Sequence, residues 1–217
     1  MIKVDFHTHS NASPDGGITP GQYQKIIKLE GLDFIAITDH NRMDMAVELF
    51  LILGECIIVG EEIETTDGEL IGLFIKQFIA PNQSPKKTAE DIKEQGGLVY
   101  VPHPFETVRK GISEAALDKI ADLVDIVETA NGRAVFQNRG AQAAKWAKSR
   151  GKAMAASSDA HGYKGLGTTF TQLNKAPSSD NLVSQLSKAE LISNRPPLHT
   201  LLNPKMNRLK KRVGKRT

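Results

Sequence analysis

The chain has 217 residues, 40% of them hydrophobic and 24% charged, the balance of an ordinary globular protein. Its net charge of +3 hides a split: residues 205–217 carry seven Lys and Arg and no acid, which leaves 21 basic against 25 acidic side chains, or −4, in the rest. Such a body is not a broadly basic nucleic-acid binder, and no apolar run approaches the ~18 residues of a membrane span. The N-terminus begins directly on a strand without a basic, apolar leader, and the single Cys56 excludes an internal disulfide; both fit a cytoplasmic protein.

Ile2 to Phe6 reads as a strand that delivers His7 and His9. Alternate residues of a strand share a face, so both imidazoles can reach one ion. The loop Ser10–Gly17 holds Asp15, either a turn former or a ligand folded back over the strand end. Thr19-Pro20 marks a helix start, and Gly31 ends the helix. Phe34–Thr38 is an apolar run of the kind buried on both faces in a parallel sheet, and it ends in Asp39-His40. A helix from Met43 to Leu53 follows. The next strand, Ile57–Gly60, delivers Glu61 and Glu62 with opposite orientations, and Thr65–Glu69 reads as a hairpin turn into Leu70–Ile75.

A helix is predicted from Lys86 to Gln95, then a strand Leu98–Val101 ending in Pro102-His103-Pro104. The flanking prolines predict an extended backbone at His103. Arg109 and Lys110 form a basic loop before a helix over Ser113–Ala121. Strand Leu123–Val127 then leads to Glu128, Asn131 and Arg133. A helix from Phe136 to Arg150 carries Trp146 at core spacing, and strand Lys152–Ser157 leads to Asp159 and His161. A short strand near Thr168–Thr171 and a helix near Ser179–Lys188 complete the body. The repeated strand, polar cluster and helix predict a single α/β domain of barrel type over residues 1–195. Residues 196–217 read as a flexible basic extension.

The strand ends together offer His7, His9, His40, Glu62, His103, Glu128, Asp159 and His161, with Asp15 from the first loop. So many N and O donors exceed what one ion can use; they imply two ions, or three if carboxylates bridge. Signatures of a serine or cysteine nucleophile and of a phosphate-binding P-loop are absent.

Five motifs, His7-Thr8-His9-Ser10, Thr38-Asp39-His40, Gly60-Glu61-Glu62-Ile63, His103-Pro104 and Ser158-Asp159-Ala160-His161, resemble in order those of the PHP (polymerase and histidinol phosphatase) phosphoesterases, over residues 1–172. The resemblance implies a distorted (β/α)7 TIM-like barrel with a trinuclear metal site at the strand C-terminal ends. It implies that His7, His9, Glu62 and Asp159 hold a first ion and that Glu62 bridges to a second completed by His103 and Glu128. Asp15, His40 and His161 would hold the third. Glu61 is the alternative to Glu62, which its place before Ile63 favours. Several family members have histidine where Glu128 stands, which leaves zinc, manganese and iron all open.

The activity implied is hydrolysis of a phosphate ester by a bridging hydroxide. Arg109 and Arg133 are candidates to clamp the phosphate, and Asp39 to orient neighbouring ligands or carry a proton. The expected substrate is a small phosphomonoester or nucleotide. One alternative is an exonuclease or nucleotidase that draws in short oligonucleotides through the basic tail. Another is a non-catalytic metal-binding module, a fate usually marked by lost ligands, whereas all nine positions here retain them.

Overall fold

The structure, a computed structural model, describes residues 1–135 and 137–214. The apolar runs become the strands of one nine-stranded sheet: β1 (Ile2–Asp5), β2 (Phe34–Ile37), β3 (Ile57–Glu64), β4 (Glu69–Leu73), β5 (Leu98–Val101), β6 (Ile126–Asn131), β7 (Ala153–Ser157), β8 (Thr169–Leu173) and β9 (Glu190–Ser193). Their order is β7-β6-β5-β4-β3-β2-β1-β8-β9. β1 to β3 run parallel, as do β5 to β7. β4 is inserted antiparallel between β3 and β5, and β8 and β9 add antiparallel beyond β1.

The two flanks of the sheet meet where β7 lies against β8. There the Thr171 hydroxyl accepts from Ala156 N and donates to Ala156 O, both at 2.9 Å. Just beyond β7, His9 N donates to Ala160 O at 2.9 Å and Thr8 pairs with Ala160. These contacts curl the sheet into the nearly closed α/β barrel that the strand–helix rhythm predicts. Side chains from β1 to β8, Phe6 and Tyr100 the largest fully buried, fill the barrel beneath the ends of the strands.

Helices α1 (Pro20–Lys25), α2 (Asp44–Leu53), α3 (Pro85–Glu94), α4 (Glu114–Lys119), α5 (Gly140–Ser149) and α6 (Leu182–Leu186) link or follow the strands. Thr19 and Gln22 make the reciprocal capping box of α1, which runs on through a π turn to Gly31 at φ 97°. Ser84 and Ser113 cap α3 and α4. Trp146 packs in the core, and its indole N–H donates to Asp118 at 2.9 Å. None of the described helices is long and apolar enough to cross a membrane.

Several elements differ from the sequence reading. β6 starts at Ile126 and not Leu123, because the amides of Leu123 and Val124 bond back to Ile120 O and continue the turn after α4. α5 starts at Gly140, whose N–H is held by Asn138 Oδ1 at 2.9 Å; the expected start, Phe136, lies outside the described residues. β9 was not anticipated. Within residues 196–217, read from sequence as a flexible extension, the chain forms a 3-10 turn, Leu198–Leu202, and helix α7 (Asn203–Gly214). Lys215 and Arg216 lie outside the described residues.

The turn between β3 and β4 depends on Gly68, at φ 80°, where an added Cβ would stand 2.3 Å from Ile112 Cα. Gly68→Ala is therefore expected to cost about 1–3 kcal/mol through the left-handed backbone and the forced displacement. A urea unfolding curve measures it, and an unchanged midpoint would contradict this account.

Candidate metal centre

Strand alternation and short loops bring the polar residues to one end of the barrel. After β1, Phe6 and Thr8 turn into the packing, Thr8 Oγ donating to Ala36 O at 2.7 Å, while His7 and His9 face the opposite way. On β3, Glu62 points to the imidazoles, whereas Glu61 turns aside and accepts from Ile79 N at 3.1 Å. Two buried aspartates fasten the loops. Asp39 accepts from Ser10 N at 2.6 Å and from the Ser10 hydroxyl. Asp5 accepts from Ser158 N at 3.0 Å, just before Asp159.

The donors converge closely. His7 Nε2 and His9 Nε2 are 3.1 Å apart. Each lies 3.3–3.6 Å from oxygens of both Glu62 and Asp159. His103 Nε2 is 3.2 Å from Glu62 Oε1, and His40 Nδ1 is 3.1 Å from Glu62 Oε2. On the far side Asp15 Oδ2 lies 3.4 Å from His161 Nε2 and 3.6 Å from His40 Nε2. Sets suited to a metal ion are thus His7–His9–Asp159, His7–Glu62–His103, His9–Asp15–His40–His161 and His40–Glu62–Glu69.

Electrostatics fit cations better than a bare cluster. Burial and neighbouring positive groups push His161 down to about 3, and burial lowers His9, so both rings are neutral as ligands must be. Burial also pulls on His7 and His40, but carboxylates outweigh it: His7 is raised well above its usual value, and His40 to about 10. Without metal, those two rings hold protons in the place where divalent ions would put positive charge. Burial opposes ionisation of Glu62 and Asp159, yet both are held well below the usual carboxylate range, Glu62 by the imidazoles of His40, His7 and His103 and Asp159 by the Arg133 guanidinium and the surrounding imidazoles. Buried His9 Nδ1 and His103 Nδ1 have no hydrogen-bond partner among the described residues. Mixed N and O donors at this spacing suit zinc, manganese or iron.

The cluster opens into a cavity of about 360 Å³, rimmed by Arg109, Lys110, Arg133 and Arg208. Arg109 grips Glu106 through Nε and Nη2 (2.6–2.9 Å) and reaches Asp159 with Nη1 at 2.8 Å. Arg133 Nη1 lies 3.2 Å from Asp159 Oδ2, and its buried Nε has no partner among the described residues.

A model of the PHP domain matches residues 5–130, more than half of the chain, and one described as PHP-associated matches residues 138–191. The chain belongs to the PHP family. A protein of the archaeon Methanocaldococcus jannaschii, MJ1587, is 34% identical over 150 residues, which span 63% of this chain and 88% of that one. Among solved structures, a two-domain protein of Bacteroides vulgatus containing a predicted PHP-like metal-dependent phosphoesterase superposes with a TM-score of 0.71 at 20% identity, over 89% of this chain and 65% of that one. The lesion-specific endonuclease Q of Pyrococcus furiosus superposes at 0.65 and 16% identity, over 88% of this chain and 57% of that one.

Eight of the nine residues expected as PHP ligands, His7, His9, Asp15, His40, Glu62, His103, Asp159 and His161, meet in these sets. Glu128 stands behind them. Its carboxylate takes four donors: His7 Nδ1 at 3.1 Å, Tyr100 OH at 3.0 Å, His103 N at 2.8 Å and Asn131 Nδ2 at 2.7 Å. It meets the ring nitrogen of His7 that faces away from His9, the placement of a carboxylate that fixes a ligand's tautomer. Asp39 holds Ser10, the residue after His9, through both its N–H and its hydroxyl.

His103 is not extended. Its φ is 28°, held there by the bond from its N–H to Glu128 and by Glu106 N donating to its carbonyl at 3.4 Å. Asp159, at φ 51°, is likewise left-handed, so two of the converging residues carry strained backbone. Sequence reasoning missed Glu69, whose buried carboxylate lies 3.6 Å from His40 Nδ1 and whose pKa is raised by burial and by Glu62. It missed Arg208 as well. Glu69 was hidden in an apparent turn, although its place opposite Glu64 in a β3–β4 hairpin carried the signal.

Asp39→Ala would strand the buried Ser10 N–H and is expected to destabilise the chain by roughly 1–3 kcal/mol. Thermal or denaturant melting of metal-free protein checks this; equal stability would show that the loop does not depend on this carboxylate.

Proposed function

We propose that the chain hydrolyses a phosphate ester, a phosphomonoester or nucleotide, in this cavity with the help of two or three bound divalent ions. The observation that carries the reading is the convergence of five imidazoles with Asp15, Glu62 and Asp159 on one cavity, with unpartnered ring nitrogens and an arginine rim. Ions held by these donors would polarise the ester and activate water at neutral pH. His7, His9, Glu62 and Asp159 are the proposed holders of one ion, with Glu62 shared toward His103. Asp15, His40 and His161 would hold another. Glu128 keeps His7 in the tautomer that presents Nε2, a positioning role in place of direct ligation.

Arg109 and Arg133 bind the phosphate. Both guanidiniums are anchored on Asp159, which keeps them at the rim in a fixed orientation, and guanidinium matches phosphate oxygens in pairs. Glu106 restrains Arg109 further, so little entropy is lost when an anion arrives. His9→Ala is expected to lower metal-dependent phosphatase activity at least ~100-fold, in the range seen when one group stabilising transition-state charge is removed. Chelation should abolish turnover and lower the melting temperature of the wild type, and zinc, manganese or iron should restore both. Full activity in His9→Ala would refute the site, and metal binding without turnover on any phosphate ester would favour a non-catalytic metal-binding module.

A second reading, cleavage of terminal phosphodiesters on short oligonucleotides, is favoured by the exposed Lys205, Lys210 and Arg212 on α7, the helix that borders the cavity. The endonuclease of similar fold gives it further support. Under this reading, oligonucleotide turnover falls more steeply with salt than mononucleotide turnover, and replacing Lys210 and Arg212 together by Gln flattens the difference. Equal salt slopes for the two substrates would exclude it.

A further inference from the structure

We propose that α7 is a wall of the active site and that Arg208 is its phosphate-binding side chain, a third guanidinium acting opposite Arg109 and Arg133. The proposal rests on the phosphoesterase reading of the cavity and assigns a role to a segment which that reading leaves out.

The face that α7 turns inward is polar and specific. Residues 204, 207, 208 and 211 lie at i, i+3, i+4 and i+7, on one side of the helix. Asn207 Nδ2 donates to Asp15 O and to His161 O, both at 2.9 Å, and so ties together two loops that each carry a candidate ligand. Lys211 donates to Gly16 O at 2.9 Å and to Ser13 O. Pro204 and Arg208 line the cavity. Met206, Leu209 and Val213 remain exposed, so hydrophobic burial is not what selects this orientation. It is selected by side-chain donors that meet the carbonyls of the loops beside the metal-binding donors.

Arg208 has donors to spare for an anion. Its Nη2 donates to Asp15 Oδ2 at 2.7 Å, the oxygen that also faces His40 and His161. Its side chain is 57% exposed, against 11% for Arg109 and 18% for Arg133. A guanidinium has five N–H groups, and Asp15 is the partner the structure gives this one among the described residues. When Asp15 serves a cation its charge is spent there, and Arg208 is left at the rim with donors turned to the cavity. Arg109 and Arg133 are anchored on Asp159 and Arg208 on Asp15, so an anion between them is gripped from two sides. A compact phosphate dianion fits that arrangement.

The test uses the full chain with metal restored, inorganic phosphate as ligand and p-nitrophenyl phosphate as substrate. Arg208→Gln is expected to weaken phosphate binding measured by calorimetry about 10-fold or more and to raise KM similarly, with a smaller change in kcat. Metal content and melting temperature should stay at wild-type values. Arg208→Lys should recover part of the binding, and Leu209→Gln, on the exposed side of the same helix, should behave as wild type. Wild-type phosphate affinity and KM in Arg208→Gln, with the parent enzyme active, would overturn this role and leave the phosphoesterase reading standing. Loss of an ion or a lower melting temperature in that variant would also overturn it, because Arg208 would then serve only to support Asp15. A parent protein that neither binds phosphate nor turns over substrate would instead bring down the underlying reading.

Discussion

Putting Glu62 and Asp159 out of reach of water, among five imidazoles at the mouth of a barrel, is the constraint that the rest of the molecule answers. An isolated buried carboxylate costs several kcal/mol and would ordinarily take up a proton. Here positive groups arrive from every direction. His7 and His40 carry charge when no cation does, and Arg109 and Arg133 converge on Asp159. The supporting structure is largely a means of holding these groups at separations near 3 Å. Strand alternation sets the facing of His7, His9 and Glu62, and the buried Asp5 and Asp39 fix the backbone of the adjoining loops. Left-handed backbone at His103 and Asp159 is strain tolerated because hydrogen bonds over-determine both loops.

Much of this was legible in the sequence, for a physical reason. Parallel strands buried on both faces write themselves as continuous apolar runs, and their ends stand out as abrupt polar clusters. Hence β1, β2, β5 and β7, and the residues just past them, are recovered almost residue for residue. The reading falters where the signal is not periodic. Glu69 belongs to a strand one residue longer than its apolar core. Leu123 and Val124 look like strand residues but complete a helical turn. His103 lies between two prolines that favour extended backbone, and a hydrogen bond to Glu128, distant in sequence, prevails over that local preference.

The C-terminal segment was opaque for a different reason. Its basic residues give a strong compositional signal for a solvated tail, and composition holds no information about the carbonyls that Asn207 and Lys211 meet nearly 200 residues upstream. Glu128 teaches a related lesson. A motif places a carboxylate near an ion, but only the fold shows which side of an imidazole it touches, here Nδ1 of His7.

The seam between β7 and β8 carries one more implication. Every other junction in the sheet order is a backbone ladder, whereas here the hydroxyl of Thr171 satisfies both main-chain groups of Ala156. A ladder runs the length of a strand, whereas this junction consists of one side chain and, just past β7, the backbone bond from His9 N to Ala160 O. The barrel therefore closes at this line without a strand ladder, directly before the segment that bears Asp159 and His161. Thr171 thus lets two strands that share no ladder lie side by side, and backbone pairing resumes at Ala160, between two of the candidate ligands.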